Sequence, residues 1–147
     1  MLNVSTVIIL KPISAVWDFY NNPANFTLWL SAFSHIELVE GKLGEPNSVS
    51  NFYYVYNKRE MKLAETICDL IFQSKIETIQ ENEILKTEMQ VVFESLDASS
   101  TRIVVTTNTK FKVLTFKLLS FFLKKSFQKR LDNDFFRFKE VLEASSF

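Results

Sequence analysis

The hydrophobic period of the chain changes part-way along, and that change limits the folds open to it. From about residue 34 to residue 112 apolar side chains recur at every second position, the period of half-buried strands. After residue 113 the period becomes 3.6. Leu123, Phe127, Leu131, Phe135, Phe138 and Leu142 then form one stripe of a helix over about 115–143, with Lys, Arg and Asp elsewhere. Such a helix is roughly 40 Å long at 1.5 Å per residue. It needs an apolar surface of matching length, and the inner face of the preceding strands supplies one.

Within the period-two region, Ile36 and Leu38 alternate with His35 and Glu37. Phe52, Tyr54 and Tyr56 share one face of 48–57, and Val49, Tyr53 and Val55 the other. Met61, Leu63 and Ile67 share a face with Glu65, and Phe72, Ser74, Ile76 and Thr78 alternate with Gln73, Lys75 and Glu77. Leu85, Thr87, Met89, Val91 and Phe93 form one face of the next strand, and Ile103, Val105, Thr107, Thr109 and Phe111 one face of the last. The breaks at Lys58-Arg59, Gln80 to Asn82 and Asp97 to Ser100 are short, so successive strands pair as antiparallel hairpins, a meander with one wet face. Upstream, the β-branched run over 3–10 predicts a first strand, apolar on both faces, so its inward side is left open. Ile13, Val16, Trp17 and Tyr20 follow Pro12 at helical spacing. Asn22-Pro23 ends that helix and starts a second, short one carrying Phe26, Trp29 and Leu30, with Asn22 as N-cap. Two glycines and three prolines punctuate the chain without linker or repeat, so one α+β domain over 1–147 is expected.

Several function classes fall away on composition. His35 and Cys68 are the only residues of their kinds, so neither a disulfide nor a His- or Cys-rich metal site is available, and no cofactor is called for. Residues 110–147 carry nine Lys or Arg against four acids, and the preceding part carries the opposite excess. This asymmetry is too mild for nucleic-acid binding, but it would steer an anionic ligand or membrane surface toward the helix. The N-terminal residues do not read as a signal peptide and no apolar run approaches 18 residues, so a cytoplasmic protein is expected.

Fifteen of the 21 aromatic residues are Phe, which fits either a ring-filled core or the wall of a cavity. Glu65 is the one acid whose parity places it among inward apolar neighbours, either turned outward by a bulge or acting as a polar contact or proton-transfer group. His35 alternates toward solvent, and Cys68 has no base beside it. No set of residues reads as a catalytic constellation. The run from Val113 to Leu123, followed by Lys124 and Lys125, is more apolar than one buried stripe requires. It reads as a buried helix start, as a gate over a cavity mouth, or as a patch that meets anionic lipid.

The order of strand, two short helices, meander and long helix resembles the START-like (SRPBCC) superfamily, in its polyketide cyclase/dehydrase and lipid-transport branch. The likeness is carried by Ile9-Leu10-Lys11-Pro12-Ile13-Ser14-Ala15-Val16-Trp17-Asp18-Phe19-Tyr20, by Trp29, by Ile36-Glu37-Leu38-Val39-Glu40-Gly41 with Gly44, and by Ser100-Thr101-Arg102-Ile103-Val104-Val105. The resemblance implies a helix-grip fold: a curved antiparallel sheet of about seven strands, two short helices after strand one, and a long C-terminal helix packed on the sheet. It also implies a hydrophobic cavity between sheet and helix. With the strand parity above, the expected cavity-lining residues are Phe52, Tyr54, Tyr56, Met61, Leu63, Glu65, Met89, Val91, Phe93, Val105, Thr107, Phe116, Phe127 and Leu131. Trp17 and Trp29 read as packing anchors. The expected function is binding or transport of a lipid- or polyketide-like small molecule. The alternatives are a cyclase- or dehydratase-type enzyme in which Tyr54, Tyr56 or Glu65 moves a proton, or a membrane- or protein-interaction module using residues 113–130.

Overall fold

A computed structural model describes residues 1–146. The alternating segments form seven strands: β1 (Leu2–Ile9), β2 (Phe33–Glu40), β3 (Val49–Tyr56), β4 (Arg59–Ile71), β5 (Lys75–Glu81), β6 (Leu85–Asp97) and β7 (Ser100–Phe111). They make one curved antiparallel sheet in the order β1-β7-β6-β5-β4-β3-β2. The meander therefore runs from β2 to β7, and β1 closes the far edge against β7 in an unbroken register from Leu2↔Asn108 to Ile9↔Thr101. Between β1 and β2 lie α1 (Ile13–Tyr20), a 3₁₀ turn at Pro23–Asn25 and α2 (Phe26–Trp29), the turn capped by the Asn22 side chain accepting from the Ala24 amide at 3.1 Å. The chain ends in α3 (Leu114–Ala144), 31 residues or roughly 45 Å long. No helix among the described residues is long and apolar enough to cross a membrane.

Turn chemistry follows the sequence. Asn57 and Lys58 both take positive φ (47° and 65°), which fits the right-handed twist of a two-residue hairpin between β3 and β4. Gly41 sits at φ +78°, and a Cβ there would come within 3.0 Å of the Ser48 Cα, so the loop can fold back on itself only through glycine. The strand expected to include Phe72 is interrupted. Phe72, Gln73 and Ser74 form the β4–β5 turn, with Gln73 at φ 54° and Phe72 largely exposed. Phe72 nonetheless lays its ring edge on Trp17 at 5.8 Å.

The inward side of β1 is set by residues that hydropathy alone ranks as outward. Asn3, Ser5 and Ile9 are buried, whereas Leu2, Val4 and Ile8 are exposed. Asn3 donates to the Gln128 side chain (2.9 Å) and Ser5 to Asp132 (2.7 Å), so a polar seam joins β1 to the middle of α3. Beyond that seam the helix is locked by aromatic packing. Phe138, fully buried, meets Phe19 at 5.1 Å and Trp29 at 5.0 Å, both edge-on, with Phe135 and Leu142 buried beside it. Trp17 and Phe93 make the same kind of contact at 5.0 Å. This end of the interior is a packed core. Phe138→Ala should therefore cost about 3–5 kcal/mol, the range for truncating a buried Phe, read as a lower urea midpoint with an unchanged slope.

Candidate functional site

At the other end the space between sheet and α3 is not filled. The reason lies in side-chain size. The inward positions there include Ser48, Ser50, Thr78, Thr87, Thr107 and Thr109, where the packed end has Trp17, Phe93, Ile103 and Phe138. These short side chains cannot reach α3, and a cavity of about 480 Å³ remains. Its floor is completed by Phe52, Tyr54 and Tyr56 from β3, Met61, Leu63, Glu65 and Ile67 from β4, Ile76 and Gln80 from β5, and Leu85 and Met89 from β6. Its roof is Phe127, Arg130, Leu131, Asp134 and Phe135 on α3. Tyr20, Phe26, Trp29 and Leu30 form one end, and Leu43 and Gly44 come in from the β2–β3 loop.

Against this largely apolar lining stand two polar groups. In the first, the Glu65 carboxylate accepts a hydrogen bond from the Gln80 amide at 2.6 Å. What surface Glu65 keeps opens into the cavity, and burial pushes its carboxyl up to about 7, against the opposing effect of the Gln80 bond. Burial, and then the nearby Glu65 charge, push the Tyr20 and Tyr54 hydroxyls well above the usual phenol range. In the second group, the Arg130 guanidinium lies over the rings of Tyr54 (5.2 Å) and Tyr56 (5.1 Å), a cation–π arrangement. It also donates to the Ser31 carbonyl at 3.4 Å and lies 4.0 Å from Asp134. Asp134 accepts from the Ser31 amide at 3.1 Å and from the Ser31 hydroxyl. Burial raises its pKa, while Ser31 and Arg130 oppose the shift.

Two donors in this wall have nothing to donate to. The Trp29 indole N–H and the Tyr56 O–H are buried without an acceptor among the described residues. A buried donor left unpaired costs about 1–3 kcal/mol, so both are positions where an acceptor from outside the chain would be favourable. Thr87 and Thr109, by contrast, satisfy each other at 2.8 Å.

Of the expected lining residues, Phe52, Tyr54, Tyr56, Met61, Leu63, Glu65, Met89, Thr107, Phe127 and Leu131 lie on the cavity wall. Four do not. Val91 and Val105 face each other across β6 and β7 and are buried in the packed core. Phe93 is closed off by the rings of Trp17 and Tyr20. Their parity is inward as expected, but α1 packs over that part of the sheet. Phe116 stacks on Phe111 at 6.0 Å, outside the cavity. His35 is exposed and stacks on Tyr53 at 4.3 Å, and Cys68 is exposed at a break in the β4–β5 register. Tyr20, Gln80, Arg130 and Asp134 were not expected as site residues. The helical pattern did hold a signal for two of them, since Arg130 and Asp134 stand three and seven positions after Phe127, on its stripe.

No protein-family model matches the sequence, and no curated protein matches it significantly. Solved structures do match. The Zhui aromatase/cyclase from a Streptomyces species superposes with a TM-score of 0.81 at 15% identity, over 97% of this chain and 93% of its own. The fold is the helix-grip fold that this structure shares. A START superfamily protein from Mycobacterium smegmatis (TM-score 0.69, 13% identity) matches over 95% of this chain and 98% of its own. Norcoclaurine synthase from Thalictrum flavum, in complex with dopamine and hydroxybenzaldehyde, matches at 0.69 and 13% over 100% and 89%. At these identities the likeness is one of fold.

The raised carboxyl of Glu65 has a thermodynamic consequence. The folded state holds this proton more tightly than the unfolded chain, so stability falls as pH rises from about 4.5 and levels off above about 7. Glu65→Gln removes that dependence. The variant should gain on the wild type by on the order of 3 kcal/mol between pH 4.5 and 8, measured by urea unfolding at both pH values.

Proposed function

We propose that the protein binds a lipid- or polyketide-like small molecule in the cavity between the sheet and α3. The observation that carries this reading is the 480 Å³ space itself, walled by Phe, Leu, Met and Tyr side chains and interrupted by a few fixed polar groups. Its volume falls within the range of small-molecule sites, roughly 300–1,000 Å³, and its chemistry has their usual balance. The ligand's apolar body would lie along Phe52, Leu63, Met89 and Leu131. An acceptor oxygen on it would meet Arg130, the Tyr56 hydroxyl or the Trp29 N–H, the groups that the fold leaves with donor capacity.

A second reading rests on Glu65. A cavity carboxyl with a pKa of about 7 can take or give a proton near neutrality, flanked by the phenols of Tyr20 and Tyr54. In that case the site would act on its ligand, as a cyclase or dehydratase does, by holding a flexible polycarbonyl chain while Glu65 moves a proton. Conversion of a poly-β-ketone surrogate, lost in Glu65→Gln while binding of the same compound persists, would favour this reading over simple binding.

Cavity occupancy is tested by a paired substitution. Met89→Trp fills the cavity, whereas Val55→Trp places the same ring on the exposed face of β3. An environment-sensitive apolar dye should bind the wild type and Val55→Trp with a stoichiometry near one, and should bind Met89→Trp at least tenfold more weakly at an unchanged melting temperature. Equal binding by all three would exclude this cavity as the dye site.

A further inference from the structure

The first three turns of α3 are apolar on both sides. Phe116, Ser120, Leu123 and Phe127 are half-buried and face the sheet, but no residue from Lys112 to Lys125 is fully buried. On the opposite side Leu114, Leu118, Phe121 and Phe122 recur at positions i, i+4, i+7 and i+8 of one helical stripe. They are 69%, 73%, 82% and 72% exposed. Phe121 and Phe122 touch each other edge-on at 5.6 Å and project from the molecule as a pair. An outward stripe of two Leu and two Phe is unlike the scattered single apolar residues of an ordinary surface.

The charges around this stripe point to what covers it. From Asp97 to Asp132 the chain contains no acidic residue in between, yet it contains eight Lys or Arg. Lys112 is engaged by Glu81 at 2.8 Å and Arg130 lies at the cavity roof. Lys117, Lys124, Lys125 and Lys129 are exposed and form no ion pair among the described residues. At 100° per residue Lys117 and Lys124 fall along one flank of the apolar stripe, and Lys125 and Lys129 continue it at its C-terminal end. Large apolar side chains outward on a helix, bordered by unpaired lysines, match an interface with acyl chains below and anionic headgroups beside. A protein partner or a second copy of this chain would need acids to meet these lysines.

We infer that the start of α3 is a docking surface for an anionic lipid bilayer, with Leu114, Leu118, Phe121 and Phe122 inserted at the headgroup–acyl boundary and Lys117, Lys124 and Lys125 on the phosphates. The stripe and the site share one helix: on its opposite, sheet-facing side Phe127 lines the cavity and meets Phe111 at 5.8 Å. Docking would set the roof of the cavity close to the lipid. The inference does not depend on the cavity being a ligand site, since the docking stripe lies outside it.

The test is flotation of the full chain with liposomes of phosphatidylcholine alone or with 30 mol% phosphatidylglycerol. Recovery with the anionic vesicles should exceed that with neutral ones at least fivefold and should fall at 0.5 M NaCl. Phe121→Ser/Phe122→Ser and Lys117→Glu/Lys124→Glu should each lose at least four-fifths of it. Their melting temperatures should stay at the wild-type value, because all four side chains are exposed. Dye binding to the cavity, measured on the same variants, should be unaffected, which separates this inference from the ligand reading. No anionic preference, or recovery that survives the double Phe substitution, would overturn it. So would a wild-type dimer in size-exclusion chromatography that Phe121→Ser/Phe122→Ser converts to a monomer, because the stripe would then be covered by a second copy.

Discussion

The grip of the C-terminal third of α3 on the sheet is the interaction that the remaining structure depends on. Phe135, Phe138 and Leu142 are buried against Phe19, Trp29 and the β6–β7 core, with Phe138 edge-on to both Phe19 and Trp29. Trp29 belongs to α2, so the same cluster fixes where α2 lies and brings Ser31 to Asp134. The Asn3–Gln128 and Ser5–Asp132 hydrogen bonds then set the rotation of the helix further toward its start. With rotation fixed at these points, Phe127, Arg130, Leu131 and Asp134 all face the cavity without filling it.

The interior is divided by side-chain size on a continuous sheet face. One end has large rings at inward positions and is packed. The other has Ser48, Ser50, Thr78, Thr87, Thr107 and Thr109 there and stays open. Threonine suits this role because its β-branch supports the strand while its side chain is short. The cost is borne by polar groups with little water. Burial pushes the Glu65 carboxyl up to about 7, so it is only partly ionised at pH 7, and two donors lack acceptors. Such groups destabilise the empty protein, and the packed end offsets them.

Much of this was legible in the alternation. The parity of β3, β4, β6 and β7 puts Phe52, Leu63, Met89 and Thr107 on the inner face, and Glu65 follows from the same count. Parity says which side a residue faces, not what lies over it, so it could not separate Val91, Phe93 and Val105 from the cavity wall. That distinction depends on where α1 packs, a tertiary contact between Trp17 and Phe93 across more than seventy residues. Asn3 and Ser5 were unreadable for a different reason. Their inward position is stabilised by hydrogen bonds to α3, which hydropathy does not register. Arg130 was hidden by its charge, although its place on the helical stripe was visible.

Tyr54 stands between the two polar groups. Its ring is covered by Arg130 on one side, and its hydroxyl feels the charge of Glu65 on the other. Ionisation of Glu65 makes the Tyr54 phenol harder to deprotonate, while Arg130 acts in the opposite sense. A ligand that fills the cavity would exclude water from Glu65 and disfavour its ionised form, adding to the burial that already raises its carboxyl. Ligand binding and protonation at Glu65 would then be linked, each raising the affinity for the other by the same factor. An anionic ligand would add its own like charge to this effect and bind with a larger proton uptake near pH 7 than a purely apolar one, which acts on Glu65 only by excluding water. Both kinds of ligand push the carboxyl the same way, so the size of the proton uptake, not its sign, reports whether the ligand brings a negative charge into the cavity.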